Sequence, residues 1–478
     1  MKLITNKINR IRQLPIGVKA SVAYAVASML QSGLAFITTP IFTRLLTQNE
    51  YGEVAVYYSI SQLVGTIALF SLGAGCMDIG LQDNKNDRSS FIFSTLILSN
   101  IITLLTGGLL FLLWPFIKNY IGVESGLMVV MFVTFIFSPA LTFWTRLERF
   151  EYRYKLSSTV NFVSALLSAL CAIYAIRIFT ENKIYARIIG SCVPMLVFYL
   201  VLYVRIGYKA NFRINKQYWK FCFIFNLPLL PHYLSAYILS GSDRVMIANL
   251  QGTEQTAYYS FAYNFVAIAS IIWMSINNSL VPYILERYEH KEYKQVSNTV
   301  MPILCFFCVA LVLIMLFAPE LTMLLGTENY YQAVYVIPPV IASAFFQALY
   351  MLFTNVLYYL KKPKYVMYAS ISSGCVNVLL NYLLIPVFGY IVAAYTTIFS
   401  YALQAYLDYA ISKKIVGENI YDMKKIVLLS IGIVSSSIMI CFLYASIVTR
   451  YGFIIAIFML FVFKRRMIFS YLSALKTK

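Results

Sequence analysis

Apolar stretches of membrane-spanning length recur along the whole chain, and charge is largely confined to the short segments between them. To within a few residues the runs are 20–43, 53–76, 90–114, 126–144, 157–179, 185–204, 221–247, 257–282, 298–318, 333–360, 366–387, 390–411, 426–446 and 452–463. A helix needs about 20 apolar residues to cross the hydrocarbon layer. The pattern therefore predicts an all-α polytopic membrane protein with about fourteen transmembrane helices. Composition agrees: 60% of the 478 residues are hydrophobic and 12% charged, against roughly 25% charged in soluble proteins. That balance excludes a soluble globular enzyme, a coiled coil and a disordered chain. The connections, at most about 15–20 residues, are too short for a soluble domain of about 50 residues or more.

The formal net charge of +19 invites a nucleic-acid reading, but such a footprint needs a basic patch on a water-soluble domain. With the N-terminus cytoplasmic, 31 of the 38 Lys and Arg fall on inner segments and 7 on outer ones. Cytoplasmic loops carry the excess of positive charge, so both termini are expected in the cytoplasm, with an even number of spans and no nucleic-acid partner. Residues 1–19 interleave Lys2, Lys7, Arg10, Arg12 and Lys19 with Leu3, Ile4, Ile8, Ile11 and Leu14. This suits a helix lying on anionic inner-leaflet lipid; a floppy basic tail is the alternative. The run after it is longer than the apolar core of a signal peptide, so an uncleaved first span is expected.

The residues for membrane-bound catalysis are missing. There is no G-x-S-x-G, no H-E-x-x-H and no phosphate-binding glycine loop. His232 and His290 are the sole histidines, and Cys305-x-x-Cys308 lies in an apolar run with no histidine near it, whereas a zinc site needs about four ligands. No metal, no cofactor and no enzymatic activity are expected. Transport is the default for so many spans with so little outside them.

A weak internal repeat supports this. An offset of 205 sets Leu45 on Leu250, Gly52 on Ala257 and Tyr58 on Tyr263, each time with a polar outer turn between two helices. Repeats starting on the same side are parallel and related by an axis along the membrane normal, as in transporters whose two bundles rock about a central site. The expected organisation is a basic amphipathic segment (1–19), an N-lobe of spans 1–6 (20–206), a basic cytoplasmic linker (207–220) and a C-lobe of spans 7–12 (221–412). Two extra helices and a basic tail (413–478) follow. Pro228 and Pro231 lie three apart in span 7, which makes it the span expected to bend.

Three motifs carry a family resemblance. Asn377-Val-Leu-Leu-Asn381-Tyr-Leu-Leu-Ile-Pro386-Val-Phe-Gly389, followed by Ala393-Ala394-Tyr-Thr396, resembles the N-x-x-x-N-x-x-x-I-P-x-x-G…A-A-x-x-T signature of polysaccharide-export flippases. Pro40-Ile-Phe-Thr-Arg44-Leu-Leu with Glu50-Tyr51-Gly52 resembles the end of their first helix. Asp243-Arg244-Val-Met-Ile with Tyr258-Tyr259-Ser260-Phe-Ala-Tyr263 resembles the start of their second half. In order and spacing the chain resembles the Wzx-type O-antigen and capsule repeat-unit flippases of the multidrug/oligosaccharidyl-lipid/polysaccharide exporter superfamily. Val392 departs from the pattern, standing where the family usually has glycine.

The resemblance implies a bacterial inner-membrane protein that moves undecaprenyl-diphosphate-linked oligosaccharide from the cytoplasmic to the periplasmic leaflet by alternating access. Membrane lipids surround it, and the polysaccharide polymerase machinery is an expected partner. Because unpaired charge is very costly in hydrocarbon, such a carrier needs a cationic, polar cavity. Ionisable residues within spans are the natural candidates. Arg44 and the neighbours Asp243 and Arg244 lie at comparable outer depths of the two halves. Arg44 and Asp243 are expected to pair across the lobes when the outer side is closed, leaving Arg244 or the freed Arg44 to meet the diphosphate; an ordinary interfacial pair or a snorkelling arginine is the alternative. Arg146, closing the Phe143-Trp144 stretch, could meet the diphosphate on entry. Asn277, Asn278 and Asn355 are cavity candidates, whereas Asn377 and Asn381, four apart on one face, suit helix clamping. Asp78, His232 and Asp408 are candidates for coupling to H⁺ or Na⁺; a solvated inner rim and a packed histidine are the alternatives.

Two rivals share the scaffold. A multidrug or organic-cation antiporter would favour an acidic path. A lipid-linked peptidoglycan precursor flippase would show more basic residues in the N-terminal spans.

Overall fold

The computed structural model describes residues 16–463. Most of the amphipathic segment expected over 1–19, and the tail from 464, lie outside the described residues. What is described is helical throughout, joined by tight turns. The helices are α1 Ile16–Leu45, α2 Gln48–Ala68, α3 Cys76–Asp83, α4 Arg88–Ile121, α5 Ser125–Phe137, α6 Pro139–Phe150, α7 Tyr154–Ile178, α8 Lys183–Lys209 and α9 Lys216–Asn226. They continue as α10 Leu230–Leu250, α11 Thr253–Glu289, α12 Tyr293–Leu316, α13 Ala318–Leu325, α14 Ile337–Tyr359, α15 Pro363–Phe388, α16 Val392–Val416, α17 Met423–Leu443 and α18 Ile447–Phe463. A 3₁₀ turn, Glu328–Tyr335, precedes α14.

Each apolar run falls on a helix or a helix pair, but the expected fourteen spans are not reached on length and hydropathy. Among the described residues nine helices are long and apolar enough to cross a membrane, or ten if the bent pair α9–α10 is one span. The shortfall has a physical cause. α2 carries Glu50, Glu53 and Gln62, and α16 carries Thr396, Thr397, Ser400, Gln404 and Asp408. Polar side chains are costly against lipid and face protein instead; all five of those on α16 are buried. The α9–α10 bend of 54° falls where expected, around Pro228, with Pro231 in the first turn of α10. Pro40, Pro194, Pro302 and Pro386 are instead absorbed within continuous helices.

The helix ends keep the repeat offset: α1 ends at Leu45 and α2 starts at Gln48, while α10 ends at Leu250 and α11 starts at Thr253. The first of these turns is built by a capping box. Thr47 Oγ1 accepts from the Glu50 amide and the Glu50 carboxylate accepts from the Thr47 amide, satisfying two otherwise orphaned donors.

The chain divides into two compact units. One comprises residues up to Ser260 with Leu325–Thr327 and Lys362–Thr396; the other comprises Phe261–Leu324, Glu328–Lys361 and residues from Thr397 on. In the first, α7 packs on α8 and α1, and α10 packs on α15 and α2. Lipid is as apolar as leucine, so close van der Waals packing at small residues holds such helices together. At Gly190 on α8, an added Cβ would lie 2.9 Å from the Ala172 Cα and 3.0 Å from the Cys171 carbonyl. Ser168 Oγ donates to the Ser191 carbonyl at 2.9 Å across the same seam. One aromatic core joins Leu72, Met77, Phe91, Trp144, Leu147 and Cys222. On α4, Phe111, Leu112 and Phe116 are instead almost fully exposed, a surface tolerable in lipid and a liability in water. In the second unit α14 is central, with 78% of its apolar stretch buried, packed against α12 and α17.

Candidate functional site

The most concentrated buried polar group of the first unit is built around Asp243, which is 1% exposed. Its Oδ2 accepts from the Tyr259 hydroxyl at 2.5 Å and its Oδ1 from Asn381 Nδ2 at 2.7 Å. Asn381 Nδ2 also approaches Asn377 Oδ1 at 3.3 Å, and Asn381 Oδ1 accepts from the Thr396 hydroxyl. α10, α11, α15 and α16 thus each contribute to one cluster with a single carboxylate and several neutral oxygens. Asn381 ties α15 to the acid on α10 and to Thr396 on α16, and Asn377 is bonded to Asn381 on their own helix. The Tyr259 hydroxyl and the Asn381 amide, both neutral donors, each hold one oxygen of the Asp243 carboxylate. Among the described residues no group of three or more His, Cys, Asp or Glu could hold a metal ion.

The expected Arg44–Asp243 pair is not formed. Arg44 is exposed and its Nη1 donates to the Pro40 carbonyl one turn back, at 3.0 Å. Arg244 likewise reaches the Ser240 carbonyl at 3.3 Å. Both arginines turn along their own helices, while Asp243 points to α11 and α15.

The structure brings together the turn between α1 and α2 and the turn between α10 and α11. Thr253 Oγ1 donates to Asn49 Oδ1 at 3.0 Å. A Cβ on Gly52 would fall 1.9 Å from the Thr253 carbonyl oxygen, so only glycine permits this approach. Asn249 Nδ2 donates to the Tyr120 carbonyl at 2.9 Å beside it.

Two residues expected in different roles meet: Arg146 Nη1 and Asp78 Oδ2 form an ion pair at 2.6 Å, with side chains 29% and 45% exposed. His232 lies in the first turn of α10, just past the bend, with its ring 5.7 Å from that of Tyr233.

In the second unit, neighbouring residues of α14 reach in two directions. Asn355 Nδ2 donates to Asn277 Oδ1 at 2.9 Å, and Thr354 Oγ1 donates to Asp408 Oδ2 at 2.8 Å. Asp408 is fully buried, and its Oδ1 has no hydrogen-bond partner among the described residues. Asn278 is exposed, apart from this pair.

Sequence reasoning missed Tyr259 as a ligand of Asp243, the Glu320–Arg450 pair of the second unit, and Arg187. A signal existed for Arg187, which stands inside the apolar run 185–204, where an ionisable residue is a functional candidate by default.

Residues 18–287 match the family described as polysaccharide biosynthesis protein. The chain belongs to that family. Residues 228–383 of this polysaccharide biosynthesis protein also match the MatE family. Among curated relatives, a putative O-antigen transporter of Shigella flexneri is 22% identical over 372 residues, covering 72% of this chain and 87% of that protein. A probable low-salt glycan biosynthesis flippase of Haloferax volcanii, Agl15, is 20% identical over 398 residues, covering 81% and 82%. Among solved structures, the lipid II flippase MurJ in an inward closed conformation superposes with a TM-score of 0.69 at 13% identity, covering 94% of this chain and all of that one. An inward-facing multidrug resistance MATE transporter of the MOP superfamily gives 0.62 at 13% identity, covering 83% and 98%. The polysaccharide biosynthesis protein thus has the fold of MOP-superfamily transporters. It is a multi-pass membrane protein, and its family is one of transporters, not of catalytic enzymes.

Proposed function

We propose that the protein is a flippase for undecaprenyl-diphosphate-linked oligosaccharide repeat units of O-antigen or capsule, moving them from the cytoplasmic to the periplasmic leaflet of a bacterial inner membrane by alternating access. The observation that carries the reading is the environment of the ionisable groups in the first unit. The Asp243 carboxylate is enclosed by Tyr259 and Asn381, while the guanidinium of Arg44 is exposed and, among the described residues, donates to a carbonyl of its own helix. Of these two groups the accessible one is the cation, which suits a diphosphate. The names of the Shigella and Haloferax relatives support a glycan-bearing cargo. In this reading the Asp243 cluster is the place where H⁺ or Na⁺ couples to the cycle, and the abutting outer turns at Gly52 and Thr253 part to release the cargo.

The MatE match favours a second reading, export of organic cations. The enclosure of Asp243 speaks against it, since a cationic drug needs an accessible acid. A peptidoglycan-precursor cargo shares the diphosphate chemistry.

The test is reconstitution in liposomes with labelled undecaprenyl-diphosphate oligosaccharide from the host. Protein-dependent protection of outer-leaflet label from an added glycosidase supports flipping. No protection, with gradients imposed in both directions, together with efflux of an organic cation, would transfer the protein to the second reading.

A further inference from the structure

Arg187 lies just over one turn into α8, half-buried, and its guanidinium carbon stands 3.8 Å from the ring centroid of Phe42 on α1 and 5.9 Å from that of Tyr58 on α2. It takes part in none of the ion pairs among the described residues. None of its side-chain hydrogen-bond donors is engaged by a described residue. A guanidinium carries five N–H donors in one plane. Aromatic contacts satisfy its faces and leave that edge unmet, so water or an anion must complete it.

The setting is rigid. Phe42 is buried with Leu46, Ala172, Ile176 and Ala186. The Tyr58 hydroxyl is hydrogen-bonded with Ser191 Oγ at 3.2 Å. Both rings are thus held by contacts that do not involve the arginine, and the fork is pre-organised before any ligand arrives. The nearby cation Lys183 is already committed, donating to the Leu45 carbonyl at 3.1 Å. Helix-end capping therefore accounts for Lys183 but not for Arg187.

We infer that Arg187, framed by Phe42 and Tyr58, is a phosphate-binding residue whose in-plane N–H pair takes two oxygens of a phosphate or diphosphate group. That the group is the diphosphate of a polyprenyl carrier rests on the function proposed above; a bulk phospholipid headgroup offers the same chemistry from another source. A phosphate bound here would be gripped bidentately, which lysine cannot reproduce.

The experiment measures binding of undecaprenyl diphosphate, undecaprenol and phosphatidylglycerol to the purified full chain in detergent, for wild type, Arg187→Lys, Arg187→Gln and Phe42→Leu. Thermal melts establish that each variant is folded. The expected result is a loss of undecaprenyl diphosphate affinity of about tenfold or more in Arg187→Gln, the scale of a charged hydrogen bond. Arg187→Lys should be intermediate, Phe42→Leu weakened, and undecaprenol binding unchanged. A folded Arg187→Gln that binds the diphosphate as wild type does, or that loses undecaprenol equally, overturns the inference. Equal competition by phosphatidylglycerol keeps the phosphate chemistry and overturns the carrier assignment. Flipping is read separately in liposomes. Arg187-dependent diphosphate binding without flipping leaves this inference standing and removes the proposed function, whereas flipping and binding both intact in Arg187→Gln do the reverse.

Discussion

Asn381 donates through Nδ2 to Asp243 Oδ1 at 2.7 Å, joining helices whose sequences lie 138 residues apart. The acid is buried, and its other oxygen is held by Tyr259. Buried hydrogen bonds to charged groups contribute about 1.5–3 kcal/mol each, and an acid left short of donors keeps its full desolvation penalty. Asn381→Ala and Tyr259→Phe should therefore each destabilise the protein by about 1–3 kcal/mol, read as a lower melting temperature in detergent. Asp243→Ala should abolish transport. Because Arg44 does not pair with Asp243, exchanging the two charges should not restore activity; rescue by the swap would show that they meet elsewhere in the cycle.

Gly52 faces the Thr253 carbonyl so closely that a Cβ would lie 1.9 Å from it. The obstacle is backbone, which cannot rotate away like a side chain. Gly52→Ala should force the two turns apart, costing about 1–3 kcal/mol in overpacking. Cysteines placed at Asn49 and Thr253, which replace the hydrogen bond between the turns by a disulfide, should cross-link readily with Gly52 intact and much less with Gly52→Ala. Equal cross-linking in both backgrounds would mean that the turns yield without separating.

Much of this was legible in the sequence. The bend in span 7 follows from two prolines three residues apart, a local effect. The helix starts at Gln48 and Thr253 fall on the repeat offset of 205 because each is written in its own turn residues. Asp243, Asn377, Asn381 and Thr396 all stood within the motifs that suggested the family. Their meeting was not legible, because it depends on the rotation of α10 against α15, which no local pattern encodes. The same holds for Arg44, whose reach along its own helix defeats an argument from depth alone. Hydropathy alone does not mark α2 and α16 among the described residues as spans, α2 because of Glu50, Glu53 and Gln62 and α16 because of its buried polar row.

On α14, Thr354 donates a hydrogen bond to the buried Asp408, whose other oxygen has no partner among the described residues. Thr354→Val is nearly isosteric and removes that donor. It should lower stability by about 1–3 kcal/mol, the penalty of a buried acid left unmet. Asp408→Asn with Thr354→Val should recover part of the loss, since the amide carries no charge. A double-mutant cycle in melting temperature measures the coupling, and additive losses would show that Thr354 and Asp408 act independently.

The pair Arg450–Glu320 ties α18 to α13 within the second unit. Arg450 is buried, Tyr451 also donates to Glu320 Oε1 at 2.9 Å, and the Tyr444 hydroxyl donates to the Met315 carbonyl at 2.6 Å. Arg450 is buried but Glu320 is 34% exposed, so solvent screens the pair and removing the acid costs less than the ~3–5 kcal/mol of a fully buried pair, whereas replacing both by apolar groups of similar volume is often neutral. Glu320→Gln should therefore be destabilising, and Glu320→Leu with Arg450→Met should melt near the wild-type temperature. If the double variant keeps its stability but loses transport, the charges serve the transport cycle as well as the anchoring of α18. If it keeps both, the pair is an anchor alone, replaceable by packing.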